Sequence, residues 1–278
     1  MFDTNHPEVT DAVRRALEED IGSGDITTEL TVAPEREASG GFYAREPMVV
    51  AGTELLSVIY QIRGGVKSIE VWKQSGDRAK PGECLAVVHG SARTLLTCER
   101  TTLNFIQRLS GVATLASRFA EAVAGTKCRV LDTRKTTPGL RRLEKMAAAA
   151  GGITNHRKGL FDAILIKNNH ITAAGGVRAA LGAAAGQAIP VEIEVRTLTE
   201  LDEALECGAK HLLLDNLTPQ QAREWIARIG GRASVELSGG ITLETARAYA
   251  EAGADFVSAG AITHSARALD INFRLTLE

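Results

Sequence analysis

From about residue 128 onward, short apolar runs recur along the chain: CRVLDT at 128–133, AILIK at 163–167, VEIEV at 191–195, HLLLD at 211–215, SVELSG at 234–239 and DFVSAG at 255–260. Runs this short, rich in branched side chains, predict strands of a parallel sheet covered on both faces. The last four start about 20 residues apart. Their spacers, such as TLTELDEALECGA and TLETARAYAEAGA, place Leu198, Leu201 and Leu205, and then Ala246, Tyr249 and Ala250, on one helical face. Gly208 and Gly253 follow where a helix C-terminus favours glycine.

Strand and helix therefore alternate, which predicts an α/β fold with a TIM-like α/β barrel, complete or short of strands, since six can be counted. A doubly wound sheet would be expected to open on a G-x-G-x-x-G turn after its first strand, and no such turn is found there. The first 110 or so residues alternate differently. GGFYAREPMVVAG and SIEVWKQSGDRAKPGECLAVVHG read as short strands broken by Gly and Pro, which predicts an N-terminal α+β open sandwich domain. The second piece resembles lipoyl and biotinyl carrier sheets, but Lys80 precedes Pro81 and lacks the surroundings of a modified lysine. Residues 1–112, joined by the tail 267–278, are expected to form this domain, and 113–266 the barrel. A helix bridges them, with Leu95, Leu96, Leu103, Ile106 and Leu109 at helical spacing and a break expected at Ser110–Gly111.

Composition narrows the class. The chain has 278 residues, 44% of them hydrophobic, enough for a sizeable core. Neither the first ten residues nor any later stretch reads as a secretory signal or membrane span, so a soluble cytoplasmic protein is expected. Four cysteines stand apart without a CxxC pair, which argues for reduced thiols over a zinc knuckle or disulfide framework. A net charge of −2 gives no support to nucleic-acid or membrane-surface binding. Locally the balance is otherwise: between Lys127 and His170 ten Lys and Arg stand against three Asp and Glu. These cations flank apolar strands instead of decorating a helix face, which points to an anion site.

In such a barrel the chemistry sits at the C-terminal ends of the strands. Those positions are Thr133, Arg134 and Lys135; Lys167 with Asn168, Asn169 and His170; Glu194; Asp215 and Asn216; Ser238, Gly239 and Gly240; and Ala259, Gly260 and Ala261. The last two groups are glycine-bearing turns ahead of helices, where this architecture binds phosphate through backbone N–H groups. Glu194 and Asp215, at the ends of neighbouring strands, are candidate ligands of Mg²⁺, which takes oxygen donors, or else a general acid/base pair. Lys167 could be the nucleophile of a Schiff-base aldolase. That reaction needs no surrounding cluster of Arg134, Lys135, His156 and Arg157, which suits a substrate with several anionic groups gripped by guanidinium forks.

Taken in order, EEDIGSGDITTE, CERTTLNFIQRLSGVAT, DTRKTTPGLR, EKMAAAAGGITNHRKGLFDAILIKNNHI, VEIEV, LLLDN, ELSGG and AGAITHSARALDINF resemble the quinolinate phosphoribosyltransferase family over nearly the whole chain. The resemblance implies that quinolinate and phosphoribosyl pyrophosphate react, with Mg²⁺, to nicotinate mononucleotide, carbon dioxide and pyrophosphate on the route to NAD. It implies that Arg134 and Arg157 hold the quinolinate carboxylates, with Thr133, Lys135, His156 and Lys167 lining the pocket. Arg100 would reach in from the partner subunit of a homodimer. Glu194 and Asp215 would meet the ribose hydroxyls and Mg²⁺, and, with Lys135 and Lys167, make up the catalytic set; Ser238, Gly239, Gly240, Ala259, Gly260 and Ala261 would take the 5-phosphate. Met146, where the family carries Tyr, and Asn168, where it carries an acidic residue, depart from the pattern. The runner-up is a paralogous phosphoribosyltransferase of the same fold acting on another base, of the type encoded alongside molybdenum transport; a non-enzymatic binding module ranks lowest.

Overall fold

The computed structural model describes residues 2–277. The elements run α1 (Pro7–Ile21), α2 (Ile26–Thr31), β1 (Glu37–Ala44), β2 (Met48–Val49), α3 (Leu55–Ile62), β3 (Ser68–Val71), β4 (Arg78–Ala79), β5 (Cys84–Ser91) and α4 (Ala92–Ala122). There follow β6 (Arg129–Leu131), α5 (Arg141–Ala150), β7 (Ile164–Ile166), α6 (Asn168–Ala174), α7 (Val177–Ala183), β8 (Val191–Val195), α8 (Leu198–Glu206), β9 (His211–Asp215), α9 (Pro219–Ile229), β10 (Ser234–Ser238), α10 (Leu243–Glu251), β11 (Phe256–Ser258), α11 (Ala261–His264) and β12 (Ile271–Leu277). Among the described residues no helix is long and apolar enough to cross a membrane. All four cysteines are free thiols.

Contacts divide the chain into two compact units. One comprises the chain through Ser117, Thr136–Gly152, and the residues from Ile262 onward. Its sheet has the order β12-β1-β5-β3, antiparallel throughout, with the C-terminal strand at one edge. Phe42 and Phe273 face each other across the β1–β12 pair, ring centroids 5.0 Å apart. Pro7 opens α1, whose apolar stripe Val9, Ala12, Val13 and Leu17 is buried. The segment 136–152, assigned to the barrel from sequence, groups with this unit.

The expected break at Ser110–Gly111 is absent: α4 runs 31 residues without interruption. The pair serves close approach instead. A Cβ on Gly111 would lie 1.9 Å from the carbonyl oxygen of Arg267, and Ser110 Oγ accepts from the backbone N–H of Ala51 at 3.0 Å. A small side chain inside a helix is tolerated where another backbone has to pack against it.

The other unit comprises Arg118–Lys135 and Ile153–Ala261. Its six strands are all parallel, in the order β6-β11-β10-β9-β8-β7. This is a TIM-like barrel of six strands, with β6 and β7 at the ends of the sheet. A parallel bridge from Leu131 to Thr154 adds the start of the next segment beside the β6 end. Along β8, Ile193 and Val195 are fully buried on one face, while the period of two sends Glu192 and Glu194 to the other. The register aligns Glu194 with Leu213 and Leu213 with Glu236, so acidic side chains of β8 and β10 share that face.

Candidate active site

The turn after β6 begins with Asp132, whose carboxylate is fully buried. It accepts from Asn155 Nδ2 at 2.6 Å and from the His156 backbone N–H at 2.8 Å, which ties the 154–157 segment to the end of β6. Thr133 Oγ1 accepts from the Lys135 N–H at 3.0 Å and shapes the turn that carries Arg134. Arg134 and Arg157 are thereby held as neighbours. Burial, and then the charge of Arg134, hold the Arg157 guanidinium below its ordinary value. Arg157 Nη1 donates to the Ala163 carbonyl at 3.1 Å, while its Nε is buried without a hydrogen-bond partner. Two guanidiniums kept together in a partly desolvated place, one with an orphan donor, could hold an anion.

His156 has both ring nitrogens engaged. Nδ1 accepts from the Arg157 N–H at 2.7 Å, which puts the ring's first proton on Nε2. Nε2 lies 3.4 Å from Glu192 and 3.3 Å from Glu236. Burial works against a charged ring, but the two carboxylates outweigh it and raise the His156 pKa. Burial likewise pushes Glu192 up, while His156 holds it down and the Glu236 charge adds to the rise. These three could surround a metal ion by proximity alone. The Nδ1 acceptor argues otherwise, because a ring that ligates through Nε2 carries its proton on Nδ1.

At the ends of β7, β8 and β9 a second ionic group forms. Lys167 Nζ is 3.6 Å from Glu194 Oε2, and its side chain is 49% exposed. Arg196 takes the other oxygen: its Nε and Nη2 lie 3.0 and 2.9 Å from Glu194 Oε1, and Nη2 is 3.9 Å from Asp215 Oδ2. Asp215 also accepts from Asn216 Nδ2 at 2.6 Å. Arg196 thus lies against both carboxylates, with Lys167 also against Glu194. Hard oxygen donors in a pair fit Mg²⁺, which keeps phosphate oxygens and water for its remaining positions.

The turns after β10 and β11 leave adjacent parallel strands at the same end of the sheet. Gly239 has φ +95°, and a Cβ there would lie 2.3 Å from Asn216 Oδ1; Gly240 has φ +62°. Asn216 is itself left-handed at φ 58°. Ser238, Gly239 and Gly240 thus form a turn in which glycine alone fits at 239, ahead of Thr242 at the start of α10. Ala259 N–H donates to the Leu131 carbonyl at 3.2 Å, which joins the Ala259–Ala261 turn to the end of β6. Arg100 belongs to the other unit, where it is exposed on α4. Arg196, and the pairing of Glu192 and Glu236 with His156, escaped the sequence reading. Glu192 shares the face of Glu194 by strand alternation, which was a usable signal; Arg196, just beyond β8, offered none.

The strand ends of this barrel thus gather a guanidinium pair, two acidic side chains bridged by Arg196, and glycine turns, a set that suits a substrate bearing carboxylate and phosphate groups. The family model described as the C-terminal domain of quinolinate phosphoribosyl transferase matches residues 112–274, and that of its N-terminal domain matches 25–110. The chain belongs to the quinolinate phosphoribosyltransferase family. It is 42% identical to the carboxylating nicotinate-nucleotide pyrophosphorylase of Mycobacterium leprae, over 99% of this chain and 100% of that one. It is 38% identical to the probable carboxylating nicotinate-nucleotide pyrophosphorylase of Bacillus subtilis, over 98% and 95%. Its fold superimposes on the nicotinate-nucleotide pyrophosphorylase structure from Ehrlichia chaffeensis with a TM-score of 0.91 at 32% identity, covering 96% and 98% of the two chains.

Proposed function

We propose that this chain transfers the phosphoribosyl group of phosphoribosyl pyrophosphate to quinolinate, releasing pyrophosphate and carbon dioxide and giving nicotinate mononucleotide for NAD biosynthesis. The observation that carries it is the Arg134–Arg157 pair, two neighbouring cations with a buried orphan donor, which suits an aromatic diacid. Lys135 and Lys167 complete the pocket. His156, with both nitrogens engaged, acts by positioning Arg157 through Nδ1. Arg100 is assigned to the pocket of a second copy in a homodimer.

Glu194 and Asp215 would hold the ribose hydroxyls and Mg²⁺, and the turns 238–240 and 259–261 the 5-phosphate. Bound there, Mg²⁺ would neutralise charge on the departing pyrophosphate. As the bond from the anomeric carbon to pyrophosphate breaks, the ribosyl centre gains oxocarbenium character, which the fixed carboxylates of Glu194 and Asp215 stabilise. The quinolinate nitrogen then forms the new bond and becomes a positively charged pyridinium. The electron pair left when carbon dioxide departs is taken up at the ring beside that positive nitrogen, and a proton replaces the lost carboxylate. Arg134 and Arg157 orient the ring for both steps. Lys167, half exposed and ion-paired, lacks the apolar setting that a Schiff-base nucleophile requires.

With Mg²⁺ and phosphoribosyl pyrophosphate, mononucleotide is expected from quinolinate and none from nicotinate; product from nicotinate would overturn the assignment, and product from neither base would favour the paralogue. Gly239→Ala should raise the KM for phosphoribosyl pyrophosphate about tenfold while leaving the quinolinate dissociation constant nearly unchanged, because overpacking that turn costs on the order of 1–3 kcal/mol. Steady-state kinetics with each substrate varied in turn checks this, and an unaltered KM would remove the turn from the phosphate site.

A further inference from the structure

We propose that Arg196 is the resident counter-ion of the Glu194–Asp215 pair and that a divalent cation has to displace it to reach those carboxylates. The inference rests on the reading of that pair as the metal site. Glu194 is buried, with only 4% of its side chain exposed, and both of its oxygens already carry cations, Lys167 on Oε2 and Arg196 on Oε1. The Arg196 fork is placed so that Nε and Nη2 converge on one oxygen of Glu194 while Nη2 also faces Asp215. It thus occupies the space between the two carboxylates. A doubly charged ion coordinated by the same oxygens would stand against a guanidinium at contact distance, and the two cannot share the seat.

The exchange needs little from the fold. The Arg196 side chain is 47% exposed, and its backbone N–H is anchored by Glu200 Oε2 at 2.7 Å, so the fork can leave by rotating its own side chain while the end of β8 stays in place. Without metal, the guanidinium relieves the repulsion between two carboxylates at neighbouring strand ends. With metal, that task passes to the ion. Arg196 therefore sets how tightly this chain takes a divalent cation, and it does so without being a metal ligand.

The test is Mn²⁺ binding to the metal-free full-length protein, read as loss of the free Mn²⁺ signal in electron paramagnetic resonance. Arg196→Gln should bind Mn²⁺ more tightly than the wild type, by roughly fivefold, the scale of a half-exposed ion pair. Arg196→Lys, which keeps the charge, should fall between the two. The Gln variant should also melt earlier without metal and recover more stability on adding Mn²⁺. A gain in affinity is something that mere damage to the fold would not produce. Equal or weaker Mn²⁺ binding by Arg196→Gln overturns the inference alone. Absence of binding to either protein at millimolar Mn²⁺ overturns the metal reading of Glu194 and Asp215 together with it.

Discussion

Arg134→Ala should weaken quinolinate binding by about 2–5 kcal/mol, the range for removing one partner of a desolvated charge pair. Phosphoribosyl pyrophosphate should bind nearly as before, because the carboxylate pair and the glycine turns are untouched. Isothermal titration with each substrate separately makes the comparison. The asymmetry follows from the way Arg134 and Arg157 are held: the fold keeps two like charges side by side, which suits a dianion. Arg134→Lys should recover part of the loss, since it keeps the charge and gives up the fork. An unchanged quinolinate affinity in Arg134→Ala would sink the diacid clamp.

Glu144→Ala should cost about 3–5 kcal/mol of stability, as expected when a buried ion pair loses one member. The Glu144 carboxylate on α5 is fully buried. It accepts from Arg108 Nε at 3.1 Å and Nη2 at 2.7 Å, and from the Thr137 N–H and hydroxyl at 3.0 and 2.7 Å. Arg108 also donates to the carbonyls of Thr263 and Ala266. One guanidinium on α4 thereby fastens two stretches: that which follows Lys135 and that which follows Ala261. Denaturant unfolding of the full chain measures the loss, and a change below about 1 kcal/mol would show the network to be dispensable. Glu144→Gln, which keeps the acceptor oxygen but not the charge, should lie between.

The six barrel strands were legible because each is a short apolar run whose hydrophobicity needs no partner to be read. The strand-end positions were legible for the same reason: once a strand is placed, the chain itself carries Arg134, Lys167, Glu194, Asp215 and Ser238 to its C-terminal end. Ser110–Gly111 misled, because a small pair inside a helix reads as a stop until the backbone at Arg267 is seen against it. Arg196 stayed hidden, since nothing local separates an arginine that bridges two strand ends from one that leads into Thr197 and α8.

The sequence alone determined the six barrel strands, which residues stand at their ends, and where positive charge concentrates, because these depend on neighbours along the chain. Only the tertiary structure decided which charges meet. Arg196 finding both Glu194 and Asp215, His156 settling between Glu192 and Glu236, and Arg108 closing on Glu144 all depend on strand order and helix packing. Those bring Asp215 against Arg196, and bring His156 and Arg108 within hydrogen-bonding distance of carboxylates tens of positions away, where burial makes the pairing obligatory.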